Sequence, residues 1–157
     1  MTEHTFEQTR WSLEDLLPAV EGPQFEQYLA DLECAVADME ASRDTLSPEI
    51  TEESFLHLMA LVEKISSLSQ RLGYYGGLWF YADTQDQDAL AYRGRMDKLL
   101  TDVQNRILFF ELWWKGLDDE AAERLLAASG DTAYYLESLR RFKPHTLTEP
   151  EDKVFNL

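Results

Sequence analysis

Apolar residues recur along this chain at intervals of three and four, the spacing that lays one stripe along a helix. From Phe25 they fall at Tyr28, Leu29, Leu32, Val36 and Met39, which predicts a first helix from about Pro23 to Ser42 behind the break Glu21-Gly22-Pro23. Its outward positions Glu26, Asp31, Glu33, Asp38 and Glu40 are expected to form a plain solvated face. Ahead of the break, Trp11 to Pro18 is a short segment of mixed character. A second stripe, Phe55, Leu58, Met59, Val62, Ile65 and Leu72, follows two candidate helix starts. One is Ser47-Pro48-Glu49, with a proline for the first helical position, and the other is Thr51-Glu52-Glu53.

The run Gly73-Tyr74-Tyr75-Gly76-Gly77-Leu78-Trp79-Phe80-Tyr81 fits two patterns. Its aromatics favour a strand, and each glycine weakens a helix by about 1 kcal/mol. Yet Gly73, Gly76 and Gly77 are spaced to lie along one side of a helix, where they would let a neighbour approach closely, so a helix is expected. Asp83 to Asp88 then supplies an acidic turn, with Asp83 or Thr84 as the cap of a third helix from about Asp86 to Lys115. Leu90, Met96, Leu99, Val103, Ile107, Phe110 and Trp114 make its main stripe, broadened by Leu100 and Leu112. A helix of roughly 30 residues is about 45 Å long.

Gly116 ends that helix, and Asp118-Asp119-Glu120 opens a short one running to about Ala128, stopped by Gly130. Asp131 or Thr132 is the expected cap of the next, with Tyr134, Tyr135, Leu139 and Phe142 supplying its inward set and Pro144 ending it. Thr148-Glu149-Pro150-Glu151 is a capping box for a further helix. Barely two turns follow, and helices so short are marginal alone, so residues 148–157 are expected to be the start of a truncated helix. The fold class expected is all-α: an antiparallel bundle of long helices with shorter C-terminal ones, residues 1–157 forming a single helical domain.

Composition supports a real core: 157 residues are 45% hydrophobic and 12% aromatic. A chain of this size buries about 68–70% of the surface its unfolded form exposes. Thirty acids against 14 Lys and Arg leave a net charge of -16, which repels phosphate backbones and anionic lipid, so neither nucleic acid nor membrane is expected as a partner. Such a field favours cationic ligands. The lone cysteine, Cys34, cannot pair internally and lies in a helical stripe, where a thiol usually serves as a small apolar side chain. The first ten residues carry Glu3, Glu7 and Arg10 and do not read as a secretory signal, and the uncharged stretch Leu72 to Ala82 is far short of the roughly 20 residues that span a bilayer. A cytoplasmic protein is expected.

Candidate chemistry is sparse. A zincin needs His-Glu-x-x-His on a helix, so that two imidazoles one turn apart hold zinc while the glutamate activates water. The histidines are His4, His57 and His145, none followed by glutamate and no two a turn apart. A di-iron bundle needs Glu-x-x-His pairs, but Ser54 and Phe142 stand three before His57 and His145. Cys34, beside Glu33 on an amphipathic pattern, is expected to be structural rather than a nucleophile. As a calcium loop, Asp83, Asp86 and Asp88 put Asp88 where a glycine belongs and Gly94 where a glutamate belongs, so helix capping is their expected role. Trp79, Phe80, Trp113 and Trp114 are expected in the core rather than along a peptide groove. No catalytic, cofactor-binding or metal-ligating residue is assigned.

Four segments in order carry a family resemblance: Trp11-Ser12-Leu13-Glu14-Asp15-Leu16-Leu17-Pro18, Arg71 to Tyr74 leading to Trp79-Phe80-Tyr81-Ala82-Asp83-Thr84, Arg106 to Leu112 with its Phe109-Phe110-Glu111, and Tyr134 through Glu151. Together they resemble the amino-terminal region of oligoendopeptidase F, a zinc metallopeptidase of the M3 family, although Gly76-Gly77 and Trp113-Trp114 depart from its pattern. The resemblance implies an all-helical lobe walling a deep channel that admits oligopeptides but not folded proteins. It also implies that zinc and the His-Glu-x-x-His motif belong to a catalytic domain of the same polypeptide beyond Leu157, with zinc-activated water as nucleophile. This chain alone should then be inactive and hold no cofactor. On the same reading His145 is either an interdomain contact or a turn histidine whose ring bonds a nearby helix end. The alternative is a stand-alone acidic helical module that binds a partner. A homodimer through exposed apolar surface is expected of the isolated chain.

Overall fold

The computed structural model describes residues 12–155, and these form helices and turns with no strand among them. The helices are α1 (Pro23–Ala41), α2 (Glu52–Ala82), α3 (Gln87–Gly116), α4 (Asp119–Ala128), α5 (Ala133–Arg141) and α6 (Glu149–Phe155). The all-α expectation holds, and the glycine-rich aromatic run lies inside α2. Trp11 and His4 fall outside the described residues.

Start signals decide the boundaries. Gly22 turns the chain into α1 at φ 93°, a conformation that L side chains rarely adopt, and Pro23 takes the first helical position. Of the two starts offered for α2, Thr51 is the one used: its Oγ1 accepts from Ser54 N at 3.2 Å, while Ser47 to Glu49 form a turn. For α3 the cap is neither Asp83 nor Thr84 but Asp86, whose carboxylate accepts from Asp88 N and Ala89 N at 2.9 and 3.1 Å. Asp83 is engaged one turn earlier, accepting from Gln85 N at 3.0 Å. Of the two residues expected to cap α5, Thr132 holds the N-cap position, but its Oγ1 donates to Ser129 O across the 3-10 turn Gly130–Thr132 and makes no capping bond to the helix. Of the capping box before α6, the Glu151 arm is in place, with Thr148 N and Oγ1 both donating to Glu151 Oε2.

α2 and α3 make an antiparallel hairpin. Phe55 lies against Trp113 and Trp114 near one end, and Gly76 meets Tyr92 near the other. The close approach turns on Gly76, where a Cβ would stand 2.9 Å from two atoms of the Tyr92 ring. Gly73 also faces α3, towards Leu100, whereas Gly77 has nothing within 4 Å and does not belong to the contact. α1 packs on both long helices and adds Phe25, Leu32, Ala35, Val36 and Met39 to their core.

The shorter helices close the far end of the hairpin. Trp114, fully buried, donates from Nε1 to Leu136 O at 2.9 Å and so ties α3 to α5. Arg140 donates to Trp114 O and Leu117 O, and Lys143 to Leu117 O at 2.8 Å, so cations from the end of α5 satisfy carbonyls at the end of α3. Arg124 on α4 donates to Pro48 O and Ile50 O, both at 2.9 Å, pinning the loop that precedes α2. On α6, Glu149 meets Arg43 at 2.6 Å.

Several side chains depart from the stripes expected of them. Leu90 is 49% exposed, because Ala89 and Tyr92 turn inward in its place. On α5 the buried residue is Leu136, with Leu139 beside it, while Tyr134 and Phe142 are 71% and 61% exposed. Cys34 is exposed rather than buried, its Sγ 3.8 Å from Asp38 Oδ2. The outward face of α1 is also more than a solvated surface: Arg106 on α3 donates to Glu33 at 2.7 and 2.9 Å and to Glu40 at 3.0 and 2.7 Å. That guanidinium clamps α1 to α3 with all its exposed nitrogens occupied.

Candidate functional site

A groove of about 660 Å³ runs along one face of α2. Its α2 bank is Met59, Val62, Glu63, Ser66, Ser67, Gln70, Arg71 and Tyr74, and the other side is Leu16 with Asp131, Thr132 and Tyr135. The spacing of three and four along α2 is that of a helix face turned toward a neighbour. Here the opposite faces of α2 are already covered: Phe55, Leu58, Leu61, Ile65 and Leu72 lie in the core against α1 and α3. The groove face thus keeps accessible apolar residues at Val62 and Tyr74, with Met59 buried in the core at its edge and a polar middle of Ser66, Ser67 and Gln70. Gln70 Nε2 donates to Ser66 Oγ at 3.1 Å, and Arg71 Nη1 donates to Tyr28 Oη at 2.8 Å, which holds the guanidinium against α1.

Charge at the groove is set by Glu63 and Asp131 against Arg71. Partial burial, and after it the Glu111 carboxylate, push the Tyr135 phenol up to about 12, so that it stays a neutral donor. Elsewhere Tyr92 is likewise pushed up to about 12 by burial, and Glu33 and Glu40 are held below the usual carboxylate range by the hydrogen bonds from Arg106. Asp86 is lowered chiefly by the Ala89 N–H it caps, and Glu151 by Thr148. Every displaced group among the described residues moves away from neutrality, opposite to what a general acid or base requires.

The residues singled out from sequence do not converge. His57 and His145 are both exposed, on α2 and on the Lys143–His145 turn, and Asp83, Asp86 and Asp88 serve the α2–α3 turn. Among the described residues no three of His, Cys, Asp and Glu gather as metal ligands. Trp114 is core, with Trp113 partly buried beside it, and Trp79 donates to Asp86 at 3.0 Å while lining a smaller cleft with Val20, Tyr92 and Arg95. The groove's own aromatics, Tyr74 and Tyr135, were not picked out as groove residues from sequence. The available signal was the polar interruption Ser66-Ser67 and Ser69-Gln70 between the apolar halves of α2.

No helix among the described residues is long and apolar enough to cross a membrane. No family model, curated protein or solved structure matches this chain.

Proposed function

We propose that the chain is the amino-terminal helical lobe of an oligoendopeptidase F-like zinc metallopeptidase: an antiparallel bundle that shapes one wall of the substrate channel of a cytoplasmic enzyme. The observation that carries the reading is the meeting of distant segments that bear the resemblance. Arg71 and Tyr74 from α2 and Tyr135 from α5 line one groove, and Phe110 and Glu111 from α3 line a recess with Val62 and Tyr135. In this proposal zinc, the His-Glu-x-x-His motif and the hydrolytic water belong to the catalytic domain, and the lobe by itself turns over no oligopeptide. Reading the gene beyond the codon for Leu157 tests it. A continuing frame that encodes His-Glu-x-x-His supports the lobe, whereas a stop codon there, or hydrolysis of a quenched oligopeptide by the purified chain with zinc, overturns it.

The groove also favours a second reading, a stand-alone acidic module that binds a partner. Tyr134, Phe142 and Val154, each more than half exposed, are apolar side chains open to self-association as a homodimer. Light scattering that reports a monomer across a wide concentration range removes that dimer.

A further inference from the structure

We propose that the groove along α2 is a docking site for a cationic amphipathic α-helix of a partner protein. Met59 to Tyr74 is four turns, about 22 Å of helix axis, and every turn contributes to the lining, which matches a partner helix of about 15 residues. Helix-in-groove recognition reads such a partner through apolar side chains on one face. Val62, Leu16, Tyr74 and Tyr135 provide the apolar contacts that face requires, with Met59 buried at the groove's end.

Charge selects the partner's flanks. Glu63 stands on the α2 side of the groove and Asp131 on the α5 side, so a helix lying between them meets carboxylates from two elements. Arg71, the cation of the lining, already donates to Tyr28 Oη at 2.8 Å with its guanidinium 5.2 Å from that ring, directed at α1. The surrounding field of a chain with net charge -16 draws cations toward the site and repels an acidic helix, a discrimination that acts on encounter as well as on the final contacts. An apolar helix with no basic flank leaves Glu63 and Asp131 unanswered. A second copy of this acidic chain would bring more carboxylates than cations to the groove.

This inference stands apart from the peptidase reading, which the gene frame decides; binding to the intact 157-residue chain decides this one. The experiment uses a fluorescent 15-residue Leu/Lys amphipathic helix and its Leu/Glu twin, titrated with the chain while anisotropy is recorded. The Leu/Lys helix should bind and the Leu/Glu helix should not. Glu63→Lys with Asp131→Lys should weaken binding about tenfold or more, whereas Asp102→Lys with Glu123→Lys, exposed acids away from the groove, changes the net charge equally and should weaken it about twofold at most. Ser66→Trp fills the exposed groove floor without altering charge and should also cost about tenfold. Circular dichroism melts verify that each variant is folded. Equal losses from the two charge pairs, an unchanged affinity in Ser66→Trp, or no binding of the Leu/Lys helix would each overturn the proposal.

Discussion

Three glycines within five positions of α2 make a graded test of how closely α2 and α3 approach. A Cβ at Gly77 meets nothing within 4 Å, so Gly77→Ala should register only the gain in helix propensity, about 1 kcal/mol. At Gly73 the new methyl meets Leu100 Cδ1 at 3.1 Å, the far end of a flexible side chain that can give way, and the gain should be reduced but not reversed. Gly76 differs in kind. Its Cβ would stand 2.9 Å from both Cδ1 and Cε1 of Tyr92 and 3.5 Å from Arg93 Cα, and the ring cannot step aside. Phe25, Tyr75 and Trp79 surround it at centroid distances of 6.2, 5.5 and 6.0 Å, and its hydroxyl donates to Leu72 O at 3.2 Å. Overpacking of this kind costs about 1–3 kcal/mol. Because both alanines gain the same propensity, Gly76→Ala should fall below Gly77→Ala by that overpacking term, about 2–4 °C in Tm per kcal/mol for a chain of this length. Urea titration supplies the free energies, with an unchanged m-value as the check that only stability moved. Should Gly76→Ala stabilise as much as Gly77→Ala, the contact between Gly76 and Tyr92 is not what sets the hairpin spacing.

Replacing the two neighbouring tryptophans should separate a bonded indole from an unbonded one: Trp114→Phe leaves Leu136 O without its donor and should cost about 1–3 kcal/mol, while Trp113→Phe removes a buried Nε1 that has no partner among the described residues and should cost less than about 1 kcal/mol, both read by urea unfolding. Thr51→Ala should cost about 1 kcal/mol through loss of the α2 cap, and Thr51→Asp should restore most of it. The carboxyls of Glu33 and Glu40 have folded pKa values below their ordinary value of 4.5, so their stabilisation is present above that pH and is lost as pH falls through the depressed values. Both side chains are largely exposed, which limits each pair to about 0.2–1 kcal/mol; Arg106→Leu should therefore lose stability at neutral pH and converge with the unmodified chain once both carboxylates are protonated in acid, and a gap that stays constant as the acids titrate would contradict the clamp. Cys34 should react with a thiol reagent in the native state, and a thiol that reacts only in denaturant would show that it is buried after all.

Helices were legible in the sequence because their apolar stripes repeat over many turns, so that no single misplaced residue changes the period. The errors sit where one residue decides. Asp83, Thr84 and Asp86 are equally competent caps by type, and the choice of Asp86 follows from tertiary contact: its carboxylate also accepts from Trp79 Nε1 at 3.0 Å, which fixes where the turn ends. Leu90 loses its place in the core because Tyr92, two positions on, fills the gap beside Gly76, a fit between two helices that neither helix encodes alone. On α5, nine residues define a stripe poorly, and the buried position is Leu136, whose backbone carbonyl also receives the Trp114 indole.

The same distinction applies to the charges on α1 and to the groove. A periodicity argument places Glu33 and Glu40 on a solvent face, which is correct for their backbone, yet both carboxylates reach across to one guanidinium on α3. Arg106 lies 73 residues from Glu33 and 66 from Glu40, too far for any local pattern to pair them. The groove is assembled in that way throughout: Leu16 comes from the segment before α1, Glu63 and Arg71 from α2, Asp131 from the turn into α5, and Tyr135 from α5 itself. What the sequence does hold is the reason that face is open. Ser66, Ser67 and Gln70 break the apolar run where another helix would have to pack without solvent, and desolvating such groups unpaired carries a penalty. A partner helix that seats there must therefore make its apolar contacts beside Ser66, Ser67 and Gln70 and leave those groups to water or to its own lysine ammonium groups, a requirement that favours the same cationic amphipathic helix as the acids that flank the groove.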